Sequence, residues 1–206
     1  MTRVIALFSA ATVAIVLTVG VFVALRATGG DQFSECRRGT VAGGVASIGG
    51  PFELVDGTGR VVTDADVISR PTLVYFGYSF CPDFCPNDLA RNALAADMLA
   101  ERGIDVGQVF ISIDPERDTP EVASEFASYI HPALIGLSGS PEQVAAAASA
   151  YRVYFARAGD DPDFYLMDHS TFTYLVAPGH GFLEFYATTL DAEEVAESTA
   201  CFVGQL

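Results

Sequence analysis

Lysine is absent from the 206-residue chain, and all eleven of its basic residues are arginines, set against 26 acidic residues. The formal net charge is −15. A nucleic-acid-binding protein needs a basic surface to replace the counterions of the phosphates, so the composition excludes that class. Two explanations of the acidity stay open: simple solubility, or attraction of cations, including metal ions.

Internal repeats are also lacking, and the length suits one globular domain of roughly 100–200 residues with a short appendage. Half of the residues are hydrophobic and 11% are aromatic. Such a composition can bury a packed core, which excludes a wholly disordered chain. We therefore expect a single folded domain.

Charge is missing from residues 4–25, a run of 22 residues between Arg3 and Arg26. As a helix this run would be about 33 Å long, enough to cross a hydrocarbon core of roughly 30 Å. No A-x-A cleavage site follows the run, and Cys36 lacks the small-residue approach of a lipoprotein cysteine. We therefore predict an uncleaved membrane anchor over residues 1–26 rather than a secretory signal.

The segment after this run, residues 27–47, is rich in glycine, alanine and serine. This composition predicts a flexible linker, followed by a folded domain over residues 48–206. The segment before the uncharged run is short, and the cysteines favour an oxidising compartment. We expect the protein to cross a bacterial inner membrane once, with its domain in the periplasm.

Apolar runs and turn residues then indicate alternating strands and helices. Asp56-Gly57 separates two short apolar runs, which predicts a hairpin. Buried strands are predicted over residues 72–78 and 109–113, and an antiparallel pair over residues 172–176 and 182–186. Helices are predicted to start at Pro86, Thr119, Ser140 and Leu190-Asp191. The apolar residues of the first helix recur on one face, which is expected to be buried: Leu89, Leu94, Met98 and Leu99. This alternation predicts an α/β fold, with a central sheet covered by helices on both faces.

Two cysteines, Cys81 and Cys85, lie between a predicted strand and a predicted helix. Pro86 lacks a backbone N–H and disfavours helical geometry in the residue before it, so the helix is expected to begin at Pro86. Both thiols would then lie over a helix N-terminus, where unpaired N–H groups favour the thiolate. A thiolate can attack a disulfide or bind a metal.

A purely structural disulfide is the alternative for this pair. Such a bond would gain little from closing a very small loop, and the end of a strand is where α/β folds place functional groups. Metal binding and redox chemistry stay open, since the thioredoxin-type motif has two residues between its cysteines and this one has three.

One histidine, His169, precedes a predicted strand and is expected on a loop at the end of the sheet. His131 and His180 are interpreted as ordinary surface residues. Two thiolates and one imidazole form a soft ligand set that suits copper, including Cu(I). Zinc stays possible, although it would require a fourth ligand.

Three blocks of the chain together resemble the Sco/SenC family: YFGYSFCPDFCP at Tyr75–Pro86, SIDPERDTPE at Ser112–Glu121 and DHSTFTYLVAPGHG at Asp168–Gly181. They occur in the order that the family shows, and the resemblance covers about residues 48–200. Any single block would be weak evidence, but the combination is specific.

The resemblance implies a thioredoxin-like domain on a membrane anchor, with copper bound by Cys81, Cys85 and His169. It implies delivery of copper to the binuclear copper site of cytochrome c oxidase. The implied partners are the copper-site subunit of that oxidase and other copper donors. Asp114 and Asp118 match the family block DPERDTP, which we interpret as shaping a loop and capping a helix.

Two functions remain. In the first, the protein is a metallochaperone and not an enzyme. In the second, it is a thiol–disulfide oxidoreductase in which Cys81 and Cys85 cycle and reduce the cysteines of the oxidase copper site. His169 favours the first, because a dithiol reductase has no obvious need of it. A copper or redox sensor is a third role, for which the sequence offers no signalling domain.

The two other cysteines, Cys36 and Cys201, lie outside the family blocks. An exported domain would otherwise carry two free thiols in an oxidising compartment, so we predict a structural disulfide between them. An intermolecular bond, or two unpaired thiols, are the alternatives.

Overall fold

The computed structural model describes residues 17–20, 32–37, 48–159, 161 and 164–206. The chain forms two compact units, Met1–Glu35 and Cys36–Leu206. Within the described ranges, no helix combines the length and apolar character needed to cross a membrane. The predicted anchor and linker lie outside the described residues, except for residues 17–20, which are helical, and residues 32–37, of which 32–36 form turns.

The strands and helices of the second unit follow one another as a mixed α/β chain. Their order is β1 (Glu53–Asp56), β2 (Val61–Thr63), α1 (Asp64–Val67), β3 (Thr72–Gly77), α2 (Phe84–Glu101), β4 (Gly107–Ser112), α3 (Pro120–Ile130), β5 (Leu134–Ser138), α4 (Pro141–Ala150), β6 (Phe155–Ala158), β7 (Leu166–His169), β8 (Thr173–Ala177), β9 (Gly181–Tyr186) and α5 (Ala192–Val203).

A seven-stranded sheet lies at the centre, in the order β2-β1-β5-β4-β3-β8-β9. Its middle strands β3, β4 and β5 are parallel, whereas β1 and β8 flank them in antiparallel orientation. Every residue of β3 and β4 is buried, as expected for parallel strands covered on both faces. The predicted sheet and N-terminal hairpin are confirmed, and β6 and β7 form a separate two-stranded sheet.

The predicted starts of three helices are also confirmed. Thr119, Ser140 and Asp191 are the N-caps of α3, α4 and α5, and each side chain accepts a hydrogen bond from the backbone N–H three residues later. These bonds satisfy donors that the first helical turn leaves without a partner.

The start and the buried face of α2 differ from the prediction. The helix begins at Phe84 rather than Pro86, which is therefore its third residue. The proline is tolerated there because N–H groups in the first turn have no intrahelical acceptor to lose. Leu94 was expected on the buried face but is 54% exposed. It lies five residues after the buried Leu89, which rotates it about 140° around the helix.

Three strands were not predicted. In β5 the apolar run is interrupted by Gly136, where a Cβ atom would lie 2.2 Å from the carbonyl oxygen of Ala123. The glycine thus permits α3 to approach the sheet. Strands β6 and β7 have no buried residue, so they lack the continuous apolar pattern of a core strand. The sequence predicts His169 on a loop, but it is the last residue of strand β7.

A disulfide joins Cys36 to Cys201, with 5.7 Å between their Cα atoms, which confirms the predicted pairing. Arg37, the next residue, places its guanidinium 5.7 Å from the ring centroid of Phe202 and donates a hydrogen bond to the carbonyl of Leu183. The start of this unit is therefore attached to α5 and β9.

Replacement of both Cys36 and Cys201 by serine should destabilise the protein. The bond spans a sequence separation of 165 residues, so its loss frees a long loop in the unfolded chain. We expect the free energy of unfolding to fall by about 2–5 kcal/mol, the range seen when native disulfides are removed. Urea unfolding without reductant measures it. Equal unfolding free energies for the variant and the wild type would contradict a stabilising role.

Candidate metal centre

Cys81, Cys85 and His169 come together in the fold. Their donor atoms all lie within 4.8 Å of one another. Cys85 Sγ lies 3.6 Å from His169 Nε2, and the backbone N–H of Cys85 donates to Cys81 Sγ at 3.4 Å. The structure thus joins a cysteine pair to a histidine 84 residues further along the chain.

The sheet topology explains this meeting. Cys81 lies in the loop that leaves the carboxyl end of β3, and Cys85 is the second residue of α2. Strand β8 runs antiparallel to β3, with Thr173 opposite Tyr75. It therefore begins where β3 ends, and the residues just before β8, including His169, lie above that same end.

A glycine makes room for the second sulfur. A Cβ atom added to Gly77 would lie 2.7 Å from Cys85 Sγ and 2.9 Å from a ring carbon of Tyr75. Both atoms belong to buried side chains. Any larger residue at the end of β3 would therefore displace the Cys85 thiol or the Tyr75 ring.

The imidazole is oriented by the backbone. His169 Nδ1 lies 2.9 Å from the carbonyl oxygen of Ser170, to which its N–H donates. That bond leaves the lone pair on Nε2, the nitrogen that faces Cys85, available for a metal. The rings of Tyr75 and Tyr78 meet the imidazole edge to face, with centroids 6.4 and 5.9 Å from it.

The two thiols differ in protonation. Hydrogen bonding from the Cys85 thiol, helped by backbone N–H groups and opposed by burial, lowers the pKa of Cys81 to about 3. The hydrogen bond to Cys81, together with burial, raises the pKa of the Cys85 thiol. Without a metal, the pair therefore holds a thiolate on Cys81 and a proton on Cys85.

A buried polar network lies behind the pair. The Tyr75 hydroxyl donates to Asp88 at 3.1 Å, and Asp88 forms an ion pair with Arg91 at 3.1 Å. Arg91 in turn donates to Thr173 Oγ1 at 3.0 Å. Burial raises the pKa of Asp88, while the Arg91 charge opposes that rise. The network joins α2, β3 and β8, and an aspartate on the apolar face of a predicted helix could have indicated it.

Asp118 fixes the start of the cysteine loop through hydrogen bonds. It is fully buried and accepts hydrogen bonds from the backbone N–H of Ser79 at 2.9 Å and from Ser112 Oγ at 2.6 Å. The Ser79 hydroxyl also donates to it. These contacts agree with the interpretation of the DPERDTP block as a loop-shaping segment.

Arg117 links the segment that carries the two cysteines to the segment that carries His169, a role that sequence reasoning missed. Its guanidinium lies 4.8 Å from the ring centroid of Phe80, next to Cys81, and 3.6 Å from that of Tyr165, next to β7. It donates to the carbonyl of Tyr165 at 2.9 Å and pairs with Asp114, which also accepts from the Tyr165 hydroxyl at 2.8 Å. Asp114 and Arg117 thus connect the cysteine loop to the histidine strand.

Comparison with known proteins identifies the family. The profile of the SCO1/SenC family matches residues 41–204. The chain belongs to this family. It is 51% identical to Protein SenC of Rhodobacter capsulatus over 199 residues, which cover 96% of this chain and 90% of that protein.

Solved structures of the family show the same thioredoxin-like α/β fold. Arabidopsis thaliana ScoI with copper bound is 41% identical, with a TM-score of 0.74 over 77% of this chain and 99% of that one. Bradyrhizobium japonicum ScoI with copper bound is 37% identical, with a TM-score of 0.67 over 74% and 98% of the two chains. These structures support copper as the metal of the family.

The metal-free, reduced protein should keep a reactive Cys81 in acid. Because its pKa is about 3, its carboxymethylation rate should be nearly flat from pH 8 to pH 5. An ordinary thiol with a pKa of about 8.5 loses its thiolate roughly tenfold per pH unit over this range. Mass spectrometry of the Cys81 peptide measures the rate. Cys85→Ala should restore the ordinary steep profile, and a steep profile in the wild type would contradict the thiolate assignment.

Replacement of Arg117 by leucine should weaken copper retention without unfolding the domain. The guanidinium positions the β7 segment against the cysteine loop, and loss of such supporting contacts costs roughly 10–100-fold in metal affinity. Competition with a Cu(I) chelator measures the affinity. The additional effect of His169→Ala should shrink in the Arg117→Leu background.

Arg102→Leu is the matched control for this substitution, since it removes an exposed arginine paired with Glu197 at the far end of α2. Equal copper affinities for the two arginine variants would show that Arg117 does not position the site.

Proposed function

We propose that this protein binds one copper ion through Cys81, Cys85 and His169 and delivers it to the binuclear copper site of cytochrome c oxidase. The observation that carries the proposal is the convergence of two sulfurs and one imidazole nitrogen within 4.8 Å. Membership of the SCO1/SenC family and the copper-bound structures of its members support it.

The chemistry of the three donors suits a copper ion that is carried and released. Thiolate and imidazole ligands are soft donors that hold Cu(I), and three of them leave room for a ligand of the acceptor. Cys81 needs no deprotonation, whereas Cys85 must lose its proton when copper binds. Copper loading therefore releases a proton and becomes more favourable as the pH rises.

A thiol–disulfide oxidoreductase is the second candidate, favoured by the asymmetry of the two thiols. The Cys81 thiolate would attack one sulfur of a partner disulfide and release the other as a thiolate. Cys85, after giving up its proton to that thiolate, would attack Cys81 Sγ and release the second partner sulfur. The partner disulfide gains two electrons, and Cys81 and Cys85 become a disulfide.

We also propose that residues 1–26 anchor the protein in a bacterial inner membrane, that residues 27–47 form the linker, and that residues 48–206 work in the periplasm. The uncharged run of 22 residues supports the anchor. The Cys36–Cys201 disulfide supports an oxidising compartment, because such bonds seldom persist in the cytosol.

Copper loading of the reduced full chain, wild type against His169→Ala, tests the copper site. The wild type should retain one copper ion per chain against a chelator. His169→Ala should bind more weakly by at least tenfold, the usual cost of disturbing a metal site, while Cys81 and Cys85 still form a disulfide on oxidation. His180→Ala, at an exposed histidine, is the control and should match the wild type.

Unchanged copper stoichiometry and spectrum in His169→Ala would contradict the three-ligand assignment. Delivery is tested by mixing the loaded protein with the apo copper-site domain of the oxidase. The reductase alternative predicts instead that metal-free, reduced protein reduces a disulfide in that domain and that His169→Ala does so equally well.

A further inference from the structure

Exposed aromatic side chains gather near the metal centre. Within the described ranges, the aromatic residues that are more than a third exposed are Phe80, Phe84, Tyr129, Tyr154, Phe164 and Phe172. Phe80 and Phe84 are 60% and 51% exposed and flank Cys81 in the chain. Phe172, 38% exposed, lies three residues after His169. Tyr129 lies at the end of α3, just before β5, and therefore near the edge of the sheet where β3 begins rather than the edge where it ends.

Ring contacts connect the cysteine side of this group to the imidazole. The Arg117 guanidinium lies 4.8 Å from the ring centroid of Phe80 and 5.8 Å from the ring centroid of Tyr78. The Tyr78 ring is 5.9 Å from the imidazole of His169. Phe84, the first residue of α2, precedes Cys85 directly. Aromatic surface therefore begins next to the ligands on the cysteine side.

The histidine side is bordered in the same way. Tyr154, which is 64% exposed, exchanges two hydrogen bonds with Ser170, the neighbour of His169: its N–H donates to Ser170 Oγ at 3.2 Å, and its carbonyl accepts from the Ser170 N–H at 2.9 Å. The Phe172 ring packs on Phe185 with centroids 5.1 Å apart. The backbone of Tyr154 is thus fixed against the neighbour of His169, and the Phe172 ring is held by Phe185.

The size of this aromatic face (Phe80, Phe84, Tyr154 and Phe172) is informative. Single exposed apolar residues are ordinary, but a group of aromatic residues around a functional site is typical of a protein interface. At about half exposure, four aromatic side chains present roughly 400 Å², given 150–250 Å² for each complete side chain. That is about half of the area that one partner buries in a standard interface.

Acidic side chains border the same face. Asp83 lies between Cys81 and Phe84 in the chain, Asp168 precedes His169, and Glu116 lies in the segment that supports the loop; all three are exposed. The exposed arginine near them, Arg157, stacks on the Tyr165 ring at 3.8 Å. In a chain without lysine and with a net charge of −15, such a border attracts a basic surface.

We propose that the aromatic face docks the protein that receives copper, and that this acceptor presents an apolar patch bordered by lysine or arginine residues. The proposal rests on the proposed delivery function and names the partner surface for that site. Docking on this face would bring the acceptor ligands within reach of Cys81 and His169 without unfolding the loop.

The first experiment removes exposed rings from both sides of the centre. Phe84→Ser and Tyr154→Ser are combined in the full chain, and Tyr129→Ser, which removes an aromatic ring that is 81% exposed on α3, is the control. Stopped-flow spectroscopy follows copper transfer to the reduced apo copper-site domain of the oxidase. We expect unchanged copper content and a second-order transfer rate at least about tenfold lower, as for the loss of interface anchors.

The second experiment tests the charge of the border. Asp83→Asn combined with Asp168→Asn should slow transfer severalfold at low ionic strength and converge with the wild type at high ionic strength, because salt screens long-range attraction. Glu101→Gln, at the other end of α2 and about 26 Å away at 1.5 Å per residue, is the matched control and should transfer like the wild type.

The outcomes separate the two proposals. If the aromatic variants transfer copper as fast as the wild type, the docking face is overturned and the delivery function stands. A fall in copper content that matches the fall in transfer would show a positioning role and also overturn docking. Absence of transfer from the copper-loaded wild type would overturn the delivery function and, with it, the docking proposal.

Discussion

The site depends on the hydrogen bond between Cys81 and Cys85, in which the two sulfurs share a single proton. Two sulfurs this close, both largely buried, cannot both be charged without a cation beside them. The hydrogen bond resolves the conflict by ionising Cys81 and protonating Cys85. A bound cation, or oxidation to a disulfide, would each remove the need for that proton. The same pair therefore suits both metal binding and thiol exchange, and the thiol chemistry alone does not choose between them.

The choice comes from the third donor and from what holds it. His169 ends a short, partly exposed strand whose Met167 is only partly buried against the core. Polar contacts compensate: Ser170 orients the imidazole, while Asp114 and Arg117 connect the preceding Tyr165 to the cysteine loop. A thiol–disulfide reductase would need neither the histidine nor the contacts that position it. Because these contacts hold the histidine strand against the cysteine loop, they favour a metal site over a purely redox one.

Much of the fold was predictable because its signals are local. Continuous apolar runs indicated β3 and β4, and proline after a capping residue indicated the starts of α3 and α4. The failures have different causes. Gly136 interrupts β5 because a helix backbone lies against it, and the start of α2 at Phe84 depends on which N–H groups need partners. The sequence of β6 and β7 carries no core pattern because neither strand is buried.

The three candidate ligands and the loop-shaping role of Asp114 and Asp118 could be predicted, but the role of Arg117 could not. Cys81, Cys85 and His169 could be singled out by residue type and by family resemblance, whereas Arg117 looked like any other charged residue near a helix start. Its importance exists only in three dimensions, where one guanidinium contacts the rings of Phe80 and Tyr165 from segments far apart in the chain. Residue type can indicate a candidate ligand one position at a time. The relative positions of the candidates depend on contacts between residues that are far apart in the chain. The strand that carries the histidine has no fully buried residue, so buried polar contacts from Asp114 and Arg117 help to hold its position relative to the cysteine loop.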